Sequence, residues 1–247
     1  MTAMTDRIWV IVNTCYRYFP ATVPSLLESL ASVGGVPSGR VIVVVGETES
    51  GAPPLDCRGL AESGATVVYG PWANLDNNAL IWASGASAAA LPDDGWLFYL
   101  HDTCAVVDGF WRKVLWRATV LEKLTPKPLA GKLHRPYSMC IGLYAVAGLR
   151  RAAVRDDLAR RVNLDRSDAA RMRIKQNLGA LEDHVFRLLE REYAGALWVY
   201  PNSREVIARG ETPYGTGTAR IYELYKDPGV VKIKANFGEG EPLHVKL

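Results

Sequence analysis

Through the first hundred residues, short apolar runs alternate with stretches in which apolar positions recur every three or four residues. The runs Ile8-Trp-Val-Ile-Val12, Arg40-Val-Ile-Val-Val-Val45, Ala65-Thr-Val-Val-Tyr69 and Trp96-Leu-Phe-Tyr-Leu100 read as strands. The second is wholly apolar after Arg40, as expected of a strand covered on both faces. Between them a helix is expected over 24–31, with Pro24 at its start and Gly34-Gly35 past its end. A short helix is expected near 59–62, and an Ala-rich helix over 77–91 that Pro92 stops. Strands alternating with helices predict an α/β fold: a mostly parallel central sheet flanked by helices.

The pattern changes after residue 109. A helix is expected over 110–124, closed by Pro126 and Pro128, and a crossing strand over 137–146. Residues 150–175 carry Arg150, Arg151, Arg155, Arg160, Arg161, Arg166, Arg171 and Arg173, interleaved with Asp156, Asp157, Asp165 and Asp168. Mixed charge of this kind reads first as a solvated helical surface. The competing reading is a mobile cover whose arginines reach a diphosphate or an anionic acceptor. An amphipathic helix over 181–193 and a strand over 197–200 follow. In the tail, Ile221-Tyr-Glu-Leu-Tyr225 and Val230-Val-Lys-Ile-Lys234 flank a Lys-Asp-Pro-Gly turn and read as a hairpin.

Composition narrows the choice of partner. The 247 residues are 49% hydrophobic and 22% charged, enough apolar material for one globular unit with a substantial core. A net charge of +3 is too mild for a nucleic-acid binder and suits a small anionic ligand. Cys15, Cys57, Cys104 and Cys140 lack paired spacing, so reduced thiols in a cytoplasmic protein are expected rather than a zinc site or a disulfide framework. The start, Met1 to Arg7, has no apolar signal core, and no stretch reaches the ~20 apolar residues of a membrane span.

The fourth apolar run ends in His101-Asp102-Thr103-Cys104. In open α/β sheets, ligands bind at the carboxyl ends of the strands, so Asp102 is a candidate for gripping a metal ion or a charged ligand. Its bland alternative is a turn aspartate that caps the next element.

Five segments carry a resemblance. Val12-Asn-Thr-Cys-Tyr-Arg17 is similar to the opening strand and loop, and Val45-Gly-Glu-Thr-Glu49 to the acidic turn, of GT-A-fold glycosyltransferases of the family-2 type. Asn74-Leu-Asp-Asn-Asn78 resembles that family's asparagine-containing helix start, where N–H groups favour a diphosphate. His101-Asp102-Thr103 falls where the family has its metal-binding DxD motif, and Glu182-Asp183 resembles its ED motif. The similarity covers about residues 7–212 as a catalytic domain, leaving 213–247 as a tail that packs on the domain or on a partner.

The resemblance implies a hexosyltransferase-like enzyme that moves a sugar from a nucleotide-diphospho-sugar, a UDP-sugar by preference, to a hydroxyl of a glycan, protein or small molecule, with inversion. Asp183 is then the general base, and Thr14, Arg17, Glu47, Asn78 and Asp102 contact the donor. Tyr137, Gly142 and Glu182 face the acceptor. A divalent ion, Mn²⁺ or Mg²⁺, is implied at Asp102, with His101 and His244 as further ligands. Yet the DxD position here holds one carboxylate where the family has two, and His101 could equally turn into the sheet, since neighbouring strand residues face opposite sides. A nucleotidyltransferase is disfavoured, because residues 13–20 contain no glycine for a phosphate loop. A non-catalytic nucleotide-sugar or glycan-binding module, a retaining reaction and a homo-oligomer stay open.

Overall fold

Val41–Gly46, the second apolar run without Arg40 and with Gly46 added, are all buried, so this stretch needs cover on both faces and a partner on both edges. The computed structural model supplies these; it describes residues 4–56, 59–133, 140–176, 183–200, 204–210 and 220–234. In chain order the elements are β1 (Ile8–Cys15), α1 (Phe19–Ser32), β2 (Val41–Gly46), α2 (Leu60–Ser63), β3 (Thr66–Tyr69), α3 (Asn78–Ser84), β4 (Trp96–His101), β5 (Cys104–Val106), α4 (Phe110–Glu122) and β6 (Ala130–Leu133). There follow β7 (Gly142–Ala145), α5 (Val146–Leu149), α6 (Ala152–Arg160), α7 (Asp168–Gln176), α8 (His184–Tyr193), β8 (Ala196–Tyr200), β9 (Arg204–Gly210), β10 (Arg220–Tyr225) and β11 (Val230–Lys234).

The main sheet has the order β3-β2-β1-β4-β7-β6-β8. Its pairs are parallel except where β7 runs antiparallel to β4 and β6. The expected α/β class and mostly parallel sheet flanked by helices are therefore observed. A second, antiparallel sheet has the order β5-β11-β10-β9 and contains the expected tail hairpin.

Alternation along the central strands divides the core into two layers. Val10 and Val12 of β1, Val43 and Val45 of β2, and Trp96, Phe98 and Leu100 of β4 pack with α1 and α4. Ile11, Ile42, Val44, Leu97 and Tyr99 point the other way, towards α3, α6 and α8. The helix α1 buries Phe19, Val23, Leu26, Leu27 and Leu30, a stripe at helical spacing. It starts a turn before the expected residue 24, so Pro24 lies inside it. Burying Phe19 and Val23 on that stripe offsets the hydrogen bond that the proline ring removes.

Other departures from the expected elements have local causes. The helix expected over 77–91 ends at Ser84, because Gly85 takes an extended backbone (φ −89°, ψ 170°) and a 3-10 turn follows over Ala86–Ala88. The strand expected over 137–146 is described only as β7, and residues 134–139 lie outside the described residues. Three strands had no local signal. The sequence Ala-Gly-Lys-Leu of β6 is held between β7 and β8, the short β5 pairs with β11, and β9 pairs with β10.

Cys15, Cys104 and Cys140 are free, buried thiols. Phe98 is fully buried and edge-on to Phe110 and Tyr200, with ring centroids 5.2 and 6.1 Å away. Truncation of Phe98 to alanine is expected to destabilise the fold by about 3–5 kcal/mol, read as a lower urea midpoint at unchanged slope.

Candidate active site

The carboxyl ends of β1, β2 and β4 lie side by side, and the loop that starts α3 closes over them. Asn13, at the end of β1, ties that loop down: its Nδ2 donates to the Leu75 carbonyl at 2.7 Å and its Oδ1 accepts from the Ala79 N–H at 2.8 Å. Asn78 is fully buried; its Oδ1 accepts from the Asn74 N–H at 2.9 Å and its Nδ2 reaches Cys15 Sγ at 3.8 Å. That approach requires Gly46, since a Cβ there would stand 2.1 Å from Asn78 Nδ2 and 2.6 Å from the Trp72 carbonyl oxygen. Asn78 thus binds loop to sheet from inside.

Asp102 leaves β4 on this edge and is held by hydroxyls. Its Oδ2 accepts from Thr14 Oγ1 at 2.7 Å and from Thr22 Oγ1 at 3.1 Å, joining β4 to β1 and to α1. Burial pushes the Asp102 carboxyl above its ordinary value, against the opposing pull of the Thr14 hydrogen bond, the Lys232 charge, His101 and the Thr22 hydrogen bond. It caps no helix: α4 begins at Gly109, which supplies the left-handed φ of 74°. His101 turns to the opposite side of the strand, where Nδ1 lies 3.1 Å from Asp76 Oδ1 and the ring stands edge-on to Tyr99. Thr103 Oγ1 accepts from the Lys232 ammonium of β11.

The acidic turn after β2 is occupied by an arginine. Glu47 is 6% exposed and adopts a left-handed φ of 60°, a conformation that costs a non-glycine residue roughly 1 kcal/mol or more. Arg171 of α7 grips it with two nitrogens, Nε to Oε1 at 3.2 Å and Nη2 to Oε2 at 2.7 Å. Arg171 also bonds Asp168 at 2.8 Å, and Asp168 in turn accepts from Arg17 at 3.2 Å. Arg166 donates to the Thr48 carbonyl at 2.9 Å and pairs with Glu49 at 3.1 Å. The arginine-rich segment is therefore divided in use. Arg166 and Arg171 reach over the β2 end, whereas Arg155, Arg160, Arg161 and Arg173 pair with aspartates of their own segment.

Asp183 is the N-cap residue of α8, yet its side chain makes no cap hydrogen bond. It is 8% exposed and accepts from the ammonium of Lys132 on β6, which is fully buried. Gly142 of β7 lies against the same strand: a Cβ there would stand 2.8 Å from Lys132 Cα and 2.6 Å from the Gly131 carbonyl oxygen. Tyr137, Glu182 and His244 lie outside the described residues.

Two features carried no obvious signal in sequence. His184, beside Asp183, brings Nε2 to 2.5 Å from Asp157 Oδ2, an oxygen that also accepts from Arg161 Nε at 2.6 Å. His184 and Arg161 border a cavity of about 170 Å³ that is also lined by Asn74, Asn77, Ile81, Leu158, Asn163 and Ile174. The second feature is Lys232, whose partner Thr103 is 129 residues away.

A divalent ion that bridges phosphates needs several oxygen ligands in an open shell. Here Asp102 accepts two hydroxyl hydrogen bonds on one oxygen, His101 faces Asp76, and an ammonium sits on Thr103. Among the described residues, no three His, Cys, Asp or Glu side chains come together for a metal. These residues do not fit a divalent ion at the end of β4. Among the described residues, no helix is long and apolar enough to cross a membrane.

No family model matches the sequence, and no curated protein sequence matches it. Three solved structures are similar in chain path. A 4-diphosphocytidyl-2C-methyl-D-erythritol synthase is 10% identical, with 68% of this chain and 97% of that one covered, at a TM-score of 0.41. The glycosyltransferase GlyE of Streptococcus pneumoniae TIGR4 is 11% identical at 0.42; the match spans 77% of this chain and only 45% of GlyE. Mouse xyloside xylosyltransferase 1, in its apo form, is 10% identical over 78% of this chain and 84% of its own, at 0.39. Likeness this distant concerns the run of the chain and carries no functional conclusion.

The Asp157 cluster has a pH signature. Burial raises the Asp157 carboxyl, but hydrogen bonds from Arg161 and His184 outweigh it and hold the group below its ordinary value. A carboxylate depressed on folding stabilises above its unfolded pKa of about 3.9 and ceases to do so as pH falls through the lower folded value. Asp157→Asn should therefore lower the melting temperature near neutral pH, and its difference from wild type should shrink steadily below about pH 4. A difference that stays constant down to acid would dissociate Asp157 from this charge cluster.

Proposed function

We propose that this chain is an inverting transferase that moves a sugar from a nucleoside-diphosphate donor to a hydroxyl acceptor. What supports the reading is the meeting, at one sheet edge, of Thr14, Glu47, Asn78 and Asp102, residues spread over nearly ninety positions of sequence. The Thr14–Asp102 hydrogen bond of 2.7 Å is the observation that carries it, because it joins the ends of β1 and β4 where an α/β sheet takes its ligand.

In this reading the acceptor oxygen attacks the anomeric carbon from the face opposite the donor diphosphate. The carbon–oxygen bond to phosphate breaks, its electron pair leaves with the nucleoside diphosphate, and the hydroxyl proton passes to Asp183. Lys132 holds Asp183 in place from the buried side. Charge that gathers on the departing diphosphate is met by cationic side chains at the same edge, Arg17 among them.

A second reading, a non-catalytic nucleotide-sugar-binding module, is favoured by one observation: Arg171 fills the Glu47 turn that the resemblance assigns to the nucleotide base. Turnover separates the two. Under the transferase reading, Asp183→Asn lowers transfer, and slow donor hydrolysis with it, at least about a hundredfold. UDP binding by calorimetry should change only a few-fold. Because the substitution leaves Lys132 facing a neutral partner, the melting temperature is recorded alongside. Full activity in the variant removes Asp183 as the base, and wild-type protein that binds UDP but never consumes any UDP-sugar supports the module.

A further inference from the structure

The resemblance implies a divalent ion at the end of β4, and the structure brings a lysine there instead. The hairpin β10–β11 is joined to the main sheet through β5, which follows directly on His101-Asp102-Thr103. Antiparallel pairing sets Val230 opposite Val106, Val231 opposite Ala105 and Lys232 opposite Cys104. The Ile233 N–H donates to the Thr103 carbonyl at 2.9 Å, so the register extends to the residue next to Asp102. A slip of one residue would turn Lys232 to the other face of the strand. In the observed register, its ammonium donates to Thr103 Oγ1 and its charge is felt at both Asp102 and Cys104.

Lys232 is 7% exposed, and a lysine is rarely buried to that extent without partners. Glu223, also buried, stands directly across from it on β10. Its Oε2 accepts from Tyr225 at 3.2 Å. Asp102 thus has a cation close by that the chain itself supplies. A divalent ion brought to Thr103 and Asp102 would meet that ammonium at close range, where repulsion between like charges is strong. An ammonium has three donors, and a lysine acts as a point charge on phosphate oxygens.

Resting on the nucleotide-sugar reading above, we propose that Lys232 takes the place of the divalent ion, so that the site binds a nucleoside diphosphate without metal. The tail hairpin is then part of the donor site. Glycosyl transfer by this chain would run in the presence of a chelator.

Calorimetric titration of the full chain with UDP tests this, once in excess EDTA and once with Mn²⁺. The expected dissociation constants agree within about threefold, a difference under 1 kcal/mol. Lys232→Met should weaken UDP binding at least about tenfold in both conditions, while Lys232→Arg, which keeps the charge, stays within a few-fold of wild type. Melting curves show whether the methionine variant is folded; if it is not, the two wild-type titrations decide alone. Binding that appears only with Mn²⁺ overturns the proposal and leaves the nucleotide-sugar reading standing. A folded methionine variant that binds UDP as wild type does also overturns it. UDP bound in neither condition removes the nucleotide-sugar reading, and this inference with it.

Discussion

The candidate site hangs from β1. This strand is buried on both faces and paired on both edges, with β2 and β4 in parallel register, so its last residues have almost no freedom. Asn13 and Thr14 convert that rigidity into geometry. The amide of Asn13 holds the loop that starts α3, and the hydroxyl of Thr14 holds Asp102 on the neighbouring strand. Buried polar groups must find partners, because an unsatisfied one costs about 1–3 kcal/mol. At the end of β1 each such partner belongs to a different element. Strand, loop and acidic residue are consequently positioned together.

Charge is handled at this edge by side chains of opposite sign drawn from distant parts of the chain. Arg171 holds Glu47, Lys132 holds Asp183, and Lys232 lies beside Asp102 and across from Glu223. Each arrangement puts a buried or half-buried carboxylate beside a cation from a separate element. Breaking a buried pair by removing one partner leaves an uncompensated charge, which is far costlier than losing a pair on the surface. These contacts therefore tie α7, α8 and the tail hairpin to the central sheet.

Local pattern made much of the fold legible. The four apolar runs appear as β1 to β4, the helix expected over 110–124 as α4, and the 221–234 hairpin as β10 and β11. Elements whose existence depends on neighbours were not legible. Ala-Gly-Lys-Leu of β6 has weak strand propensity, and β5 is three residues long; both exist because other strands offer them hydrogen bonds. At the site, Asp102, Thr14, Glu47 and Asn78 were marked in advance, but not what each touches. That Asn78 ties the loop to the sheet and that Arg171 closes the Glu47 turn are facts of three-dimensional contact.

By itself the sequence determined the α/β class, the position of the sheet's central strands and the acidic residue that ends β4, because these follow from periodicity along a short stretch of chain. The tertiary structure alone decided which cation faces that residue. Lys232 lies in an ordinary-looking hairpin strand, and it reaches Thr103 through antiparallel pairing between segments 129 positions apart. Hydrophobic periodicity is a local property and can be read along the chain. The partner of a buried charge is set by strand register and by the packing of distant elements, which no local pattern encodes.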